Sequence, residues 1–261
     1  MEENREKRKH EAEKGGTVVL KLSVIIPVYN GCGSIAKCVE EVAKVMADSK
    51  LDYEVIVVDD GSEDDTYNIA SDLARKDPRV NAVRNNSNMG KGHAVKTGFQ
   101  HSRGGIVTYM DADLSMHPEQ LTHYLQKLVE ADAVIASKRH PKSDIIYPLH
   151  RKILSKGFNL LVRAMFGLPI SDTQCGFKVF RREVLEDVMP RLLVKRYAFD
   201  VELLVNAYRR GYRVVEDSVT LRHGEGRLGV RDVFRMAVDL LAIFYRLHFT
   251  KTYEGKRDGD P

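Results

Sequence analysis

Gly105-Ile106-Val107-Thr108-Tyr109-Met110-Asp111-Ala112-Asp113 is a short apolar run that closes on two carboxylates one residue apart. A run of this length, bounded by turn residues, reads as a buried strand. The same figure occurs twice before it. Leu22 to Pro27 leads into Val28-Tyr29-Asn30 and the break at Gly31 and Gly33, and Tyr53 to Val58 leads into Asp59-Asp60-Gly61-Ser62. Val80 to Val83 and Ala133 to Ser137 read as two further strands. Helical segments fall between them. Ile35, Val39, Val42 and Met46 recur at helical spacing, 65–76 and 91–101 are helical stretches, and Pro118 stands at the start of a helix carried by Leu121, Leu125 and Leu128. Strands alternating with helices imply an α/β fold with a mostly parallel central sheet and right-handed crossovers. Open sheets of this kind bind ligands beyond the C-terminal ends of their strands, where the polar residues of this chain gather.

After about residue 138 the rhythm changes. The segment 150–166 reads as a helix with Ile153, Leu154, Phe158, Leu161, Val162 and Met165 on its apolar face, and Arg151, Lys152, Lys156 and Arg163 on the other. Short strands are expected at 177–180 and 214–215, a helix at 199–209, and a final amphipathic helix at 231–248. Its apolar side holds Val233, Met236, Ala237, Leu240, Leu241, Phe244 and Leu247. Residues 1–16 are nearly all charged or polar and read as a disordered tail, and 251–261 as a polar one. The 261 residues carry 41 Lys plus Arg against 37 Asp plus Glu, a net charge of +4, too small to put nucleic acid first among partners. No stretch reaches the roughly 18 uninterrupted apolar residues of a membrane span, and the first 16 have no apolar signal core. Cys32, Cys38 and Cys175 form no CxxC pair, which points to a reducing compartment.

Asp111 and Asp113 are spaced to share a hard cation, and a divalent ion there neutralises a diphosphate leaving group. Taken alone, the pair reads equally as a turn. Asp59 or Asp60 suits a nucleobase or ribose, or serves turn chemistry. The segment 85–92 lacks P-loop spacing, but its backbone N–H groups open a helix and suit phosphate.

Pro27-Val28-Tyr29-Asn30, Val57-Val58-Asp59-Asp60-Gly61-Ser62, Asn88-Met89-Gly90-Lys91-Gly92 and Met110-Asp111-Ala112-Asp113-Leu114 stand in an order that resembles the family 2 glycosyltransferases of GT-A fold. Asp172-Thr173-Gln174-Cys175-Gly176-Phe177-Lys178 and Ala198-Phe199-Asp200-Val201-Glu202-Leu203-Leu204 are similar to the dolichyl-phosphate glucosyltransferase and dolichyl-phosphate mannose synthase branch. The resemblance covers about residues 21–250 and implies a single Rossmann-like GT-A domain over 17–250. A nucleotide-sugar half would span about 21–137 and an acceptor half about 138–250. It further implies metal-dependent, inverting transfer of a hexose from UDP-glucose or GDP-mannose to a polyprenyl or dolichyl phosphate.

By position, Pro27, Tyr29, Asn30, Asp59, Asp60, Lys91, Asp111, Ala112 and Asp113 would bind the nucleotide sugar. Asp111 and Asp113 would hold Mg²⁺ or Mn²⁺. Lys138, Arg139, Arg151 and Ser155 would bind the acceptor phosphate. Asp113, Asp172, Arg139 and Arg151 are the catalytic candidates, with Asp172 as base or orienter. The mannose synthases often continue DxDL with a metal-binding Gln. Here Ser115 and Met116 stand in its place, which makes His223 a candidate third ligand. A saccharide acceptor, or nucleotide-sugar binding without catalysis, are the alternatives. The final helix either packs on the core or lies at a lipid surface with Arg231, Arg235, Arg246 and Lys251 near headgroups. A lipid acceptor would place the enzyme in the cytoplasm, peripherally on the cytosolic membrane face. Cys175 reads as a small buried residue.

Overall fold

The computed structural model describes residues 21–49, 51–145, 149–221 and 230–254, with the side chains of 149–154 and 230–233 outside that description. The expected N-terminal tail, residues 255–261 and His223 lie outside the described residues, as does the side chain of Arg151. The expected polar tail is corrected at its start, where Thr252–Glu254 form a 3-10 turn and buried Tyr253 donates to Glu202 Oε1 at 2.6 Å. The elements are β1 (Leu22–Val28), α1 (Ile35–Ser49), β2 (Tyr53–Asp59), α2 (Thr66–Lys76), β3 (Val80–Arg84), α3 (Lys91–His101), β4 (Ile106–Tyr109), α4 (Gln120–Lys127), β5 (Ala133–Ser137), β6 (Asp144–Ile145), α5 (Leu149–Phe166), β7 (Lys178–Arg181), α6 (Arg182–Val188), α7 (Phe199–Arg209), β8 (Val214–Ser218), β9 (Thr220–Leu221) and α8 (Val230–His248).

The described residues form a seven-stranded sheet in the order β3-β2-β1-β4-β7-β5-β8, with β6 and β9 paired beside it. Alternate residues of each central strand face opposite layers. In β1 and β2, Val24, Ile26, Val55 and Val57 pack beneath α1, α2 and α4. Ile25, Ile56 and Val58 pack with α3 and α5 to α8 on the other face. Both faces are covered, which is why β1, β2, β4 and β5 are mostly apolar without alternation and buried along their whole lengths.

The mostly parallel central sheet is as expected, and the direction of one strand matters for the site. The sheet is parallel except for β7, which runs antiparallel to both β4 and β5. The chain enters β7 from the rim where the parallel strands end, after the loop 170–177, so it must run back the other way. As a result, a strand from beyond residue 138 sits between two strands from before it, and the two sequence halves share one sheet. β6, β9 and α6 were not expected.

Candidate active site

β1 and β2 are in parallel register, with Val28 beside Asp59, so the loops that follow them start side by side. Asn30 adopts φ 50, the left-handed region that Asn tolerates. Its N–H donates to Ser62 Oγ at 2.8 Å, and its Oδ1 accepts from the Glu63 N–H at 2.9 Å. These bonds stitch the two loops together. Asp59 is fully buried; its Oδ1 accepts from the Ser62 N–H at 3.0 Å, and Arg84 Nε lies 3.1 Å from Oδ2, outside hydrogen-bond geometry. Asp60 organises the segment before α3. Its carboxylate accepts from Asn85 Nδ2 at 2.8 Å, the Met89 N–H at 3.2 Å and the Gly90 N–H at 2.6 Å. A cleft of about 210 Å³ opens over these loops, lined in part by Pro27, Tyr29, Asp60, Lys91, Arg196 and Tyr197.

β4 delivers the acidic pair to the same rim. Lys91, in the first turn of α3, pairs with Asp111 Oδ1. Asp113 is exposed, and its Oδ1 accepts from the Ser115 N–H at 2.9 Å across a turn in which Leu114 has φ 56. Beneath the pair lies a buried charge network. Lys178, with no exposed surface, donates to Asp200 Oδ1 at 2.6 Å and to the Cys175 carbonyl at 2.5 Å, and Tyr109 OH donates to Asp200 Oδ1 at 2.6 Å. Burial alone pushes the Asp200 carboxyl up, but Lys178 and Lys91 outweigh it and hold the group below its ordinary range. Burial likewise pulls Lys91 down, and Asp111 and Asp200 reverse that and hold it above its ordinary value. Gly176 fills the remaining space: a Cβ there would overlap Asp111 Oδ2 and come 3.1 Å from Lys91 Nζ.

A second cluster follows β5. Arg139 donates to Ser155 Oγ at 3.1 Å. Buried Asp172 accepts from the Lys138 N–H at 3.0 Å and faces Lys138 Nζ at 3.3 Å. Glu216 on β8 accepts from the backbone N–H groups of Ser171 and Asp172 at 2.9 and 3.0 Å. The loop from Ser171 to Gly176 therefore touches the cationic cluster at one end and Asp111 at the other.

The family model of glycosyl transferase family 2 matches residues 23–189. The chain belongs to this family. The glycosyltransferase is 34% identical over 243 residues to dolichyl-phosphate beta-glucosyltransferase ALG5D of Trichomonas vaginalis, covering 87% of this chain and 74% of the relative. It is 32% identical over 244 residues to dolichyl-phosphate beta-glucosyltransferase of Dictyostelium discoideum, with the same shares covered, 87% and 74%. The names of both relatives agree with the branch that the motifs resemble. Its fold is similar to that of glucosyl-3-phosphoglycerate synthase from Mycobacterium tuberculosis, crystallised with Mn²⁺, uridine diphosphate and phosphoglyceric acid. The TM-score is 0.69 at 19% identity, over 95% of this chain and 83% of that one.

In this glycosyltransferase the structure brings Lys91, Asp111 and Gly176 into contact, and Lys138, Arg139, Ser155 and Asp172 into a second group. Asn30, Asp59, Asp111 and Asp113 do not line the 210 Å³ cleft, whereas Pro27, Tyr29, Asp60 and Lys91 do. Cys175 is buried, its Sγ 3.3 Å from Met116 Sδ, and burial pushes its thiol up to about 11. The motif reading gave no role to Tyr109, Lys178, Gly176, Glu216, Arg196 or Tyr197. Lys178 could have been found, because it is a lone charge in the apolar run 177–180, where an unpaired ion is too costly to bury.

Proposed function

We propose that this glycosyltransferase moves a hexose from a nucleotide sugar to the phosphate of a polyprenyl or dolichyl lipid, with inversion at the anomeric carbon. The observation that carries the reading is the loop from Ser171 to Gly176, which ties the acidic pair to the cationic cluster. One end suits a donor diphosphate and the other an acceptor phosphate. The relatives' names favour glucose, hence UDP-glucose over GDP-mannose as donor. Pro27 and Tyr29 offer the nucleobase a ring and an aromatic face, and Lys91 at the start of α3 faces the phosphates.

Asp111 and Asp113 offer hard carboxylate oxygens, the donor set that Mg²⁺ or Mn²⁺ shares with substrate phosphates. Among the described residues no third His, Cys, Asp or Glu joins them. The pair fits an ion whose remaining ligands come from the diphosphate and water. Bound there, the ion would neutralise charge on the leaving diphosphate. Arg139, steadied by Ser155, and Lys138, steadied by Asp172, hold the acceptor phosphate for attack from the face opposite the diphosphate. A phosphate monoester is ionised at neutral pH, with its second pKa at about 6, so no general base is needed. Asp172, engaged by Lys138, orients rather than deprotonates.

No described helix is long and apolar enough to cross a membrane. On this reading the enzyme meets the lipid at the surface, peripherally on the cytosolic membrane face, and the exposed apolar residues Phe234, Val238, Leu241 and Tyr245 of α8 support such a contact. Turnover of UDP-glucose and GDP-mannose on detergent-solubilised dolichyl phosphate with Mn²⁺ tests the whole reading. Failure to form a glycolipid from either donor overturns the lipid acceptor and favours a saccharide. Asp113→Asn is expected to lower metal-dependent turnover at least about a hundredfold without shifting thermal unfolding, since the side chain is exposed. Full metal-dependent turnover in that variant would sink the metal assignment.

A further inference from the structure

The donor cleft has a wall that no motif marks. Lys195-Arg196-Tyr197 precedes α7, and both Arg196 and Tyr197 line the cleft with Lys91. The backbone here is fixed from several directions. Leu193 and Val194 donate their N–H groups to buried Glu202 at 2.9 and 2.8 Å. The His93 N–H, in the first turn of α3, donates to the Lys195 carbonyl at 3.1 Å, and the Phe199 N–H donates to the Arg196 carbonyl at 3.1 Å. Gly90, at φ 101, lets the two segments touch: a Cβ there would lie 2.6 Å from Arg196 Cγ and 2.7 Å from the Lys195 carbonyl.

The Arg196 guanidinium is otherwise uncommitted. It makes no hydrogen bond or ion pair among the described residues, and the side chain is exposed. Asp239 on α8 feels its field, and both line a neighbouring hollow of about 320 Å³. Within the cleft the Asp60 carboxylate already accepts three hydrogen bonds, and Lys91 is paired to Asp111. An anion entering the cleft therefore meets an ordered backbone that carries a free planar cation, and the guanidinium fork matches phosphate oxygens.

We propose that Arg196 is a phosphate-binding residue of the donor site, supplied by the C-terminal half to grip the diphosphate from the wall of the cleft that it shares with Lys91. The inference rests on the nucleotide-sugar reading above.

Affinities of uridine, UDP, guanosine and GDP, measured by NMR titration or calorimetry with Mn²⁺, test it in the wild type, Arg196→Ala and Arg196→Lys. Arg196→Ala is expected to weaken the diphosphate that the wild type prefers by about tenfold to a hundredfold, and to leave its nucleoside unchanged. Arg196→Lys should recover part of the loss, because it keeps the charge and loses the fork. In turnover the change should fall on the donor KM and not on the acceptor KM. Unchanged diphosphate affinity in Arg196→Ala overturns the proposal. An equal loss for nucleoside and diphosphate also overturns it, by making Arg196 a base contact. A wild type that binds neither UDP nor GDP overturns the donor reading itself, and this inference with it.

Discussion

A methyl group at position 176 would occupy the space of the Asp111 carboxylate. Gly176 thus acts through what it leaves out: it lets the loop from Ser171 press against the acidic pair and Lys91. In Gly176→Ala, Asp111 must move or the loop must retreat, and misplacement by about 1 Å at a reacting centre costs on the order of a hundredfold in rate. The expected outcome is a loss of that size in turnover and of Mn²⁺-dependent UDP affinity. A global destabilisation of about 1–3 kcal/mol should accompany it. Gly157→Ala is the matched control. It lies within α5 with nothing within 4 Å of the added Cβ, so it should leave turnover alone and stabilise by about 0.5–1 kcal/mol through helix propensity. Equal turnover in the two variants, followed in the same assay, contradicts the role assigned to Gly176. The motif containing residue 176 was legible in the sequence, but this role was not. A glycine's reason is the neighbour it admits, and Asp111 lies far away along the chain.

At the scale of elements, α3, α7 and β5 have the bounds expected from the sequence. Periodicity could not say what covers each apolar position. α8 was expected to have one apolar side. The structure splits it: Met236, Leu240, Ile243 and Leu247 are buried, while Phe234, Val238, Leu241, Tyr245 and Phe249, just past its end, are exposed. The core-packing alternative holds for one stripe, and a second apolar stripe faces outward. Neighbouring α5, joined to α8 by Phe166 against Phe244 at 6.3 Å, exposes Leu160 and Leu161 too. The direction of β7 was equally illegible, since an apolar run carries no sign of its sense. An outward stripe of this kind suits a lipid surface. The triple change Phe234→Ser, Leu241→Ser and Phe249→Ser should weaken sedimentation with anionic lipid vesicles by about tenfold or more and leave thermal unfolding nearly unchanged. Leu240→Ser, one position round the helix, should do the reverse: it should cost stability of the order of about 2–5 kcal/mol. Unaltered vesicle binding by the triple variant removes the membrane role from α8.

At the scale of the molecule, β7 joins β3, β2, β1 and β4 to β5 and β8 in one sheet, and its Lys178 pairs with Asp200 across the buried network. A buried ion pair contributes little net stability over an apolar pair, but breaking it from one side costs about 3–5 kcal/mol. Lys178→Met should therefore lower unfolding free energy by about that amount near neutral pH, and adding Asp200→Leu should restore much of it. The pH dependence follows from the sign of the shift. In the wild type the Asp200 carboxyl is held below its ordinary range, so its contribution is complete above about pH 4 and is lost as pH falls through the depressed folded value. Without Lys178, burial dominates and the carboxyl titrates above its ordinary range. Acid then neutralises a stranded charge, so the variant gains stability as pH falls toward about 4, where the wild type's contribution from Asp200 is still complete. The stability gap between the two should be widest near pH 7 and narrow steadily toward pH 4, as read from urea unfolding across that interval. A gap that stays constant over the interval would mean that Asp200 is not the group left uncompensated, and the charge network joining the two halves of the sheet would need another centre.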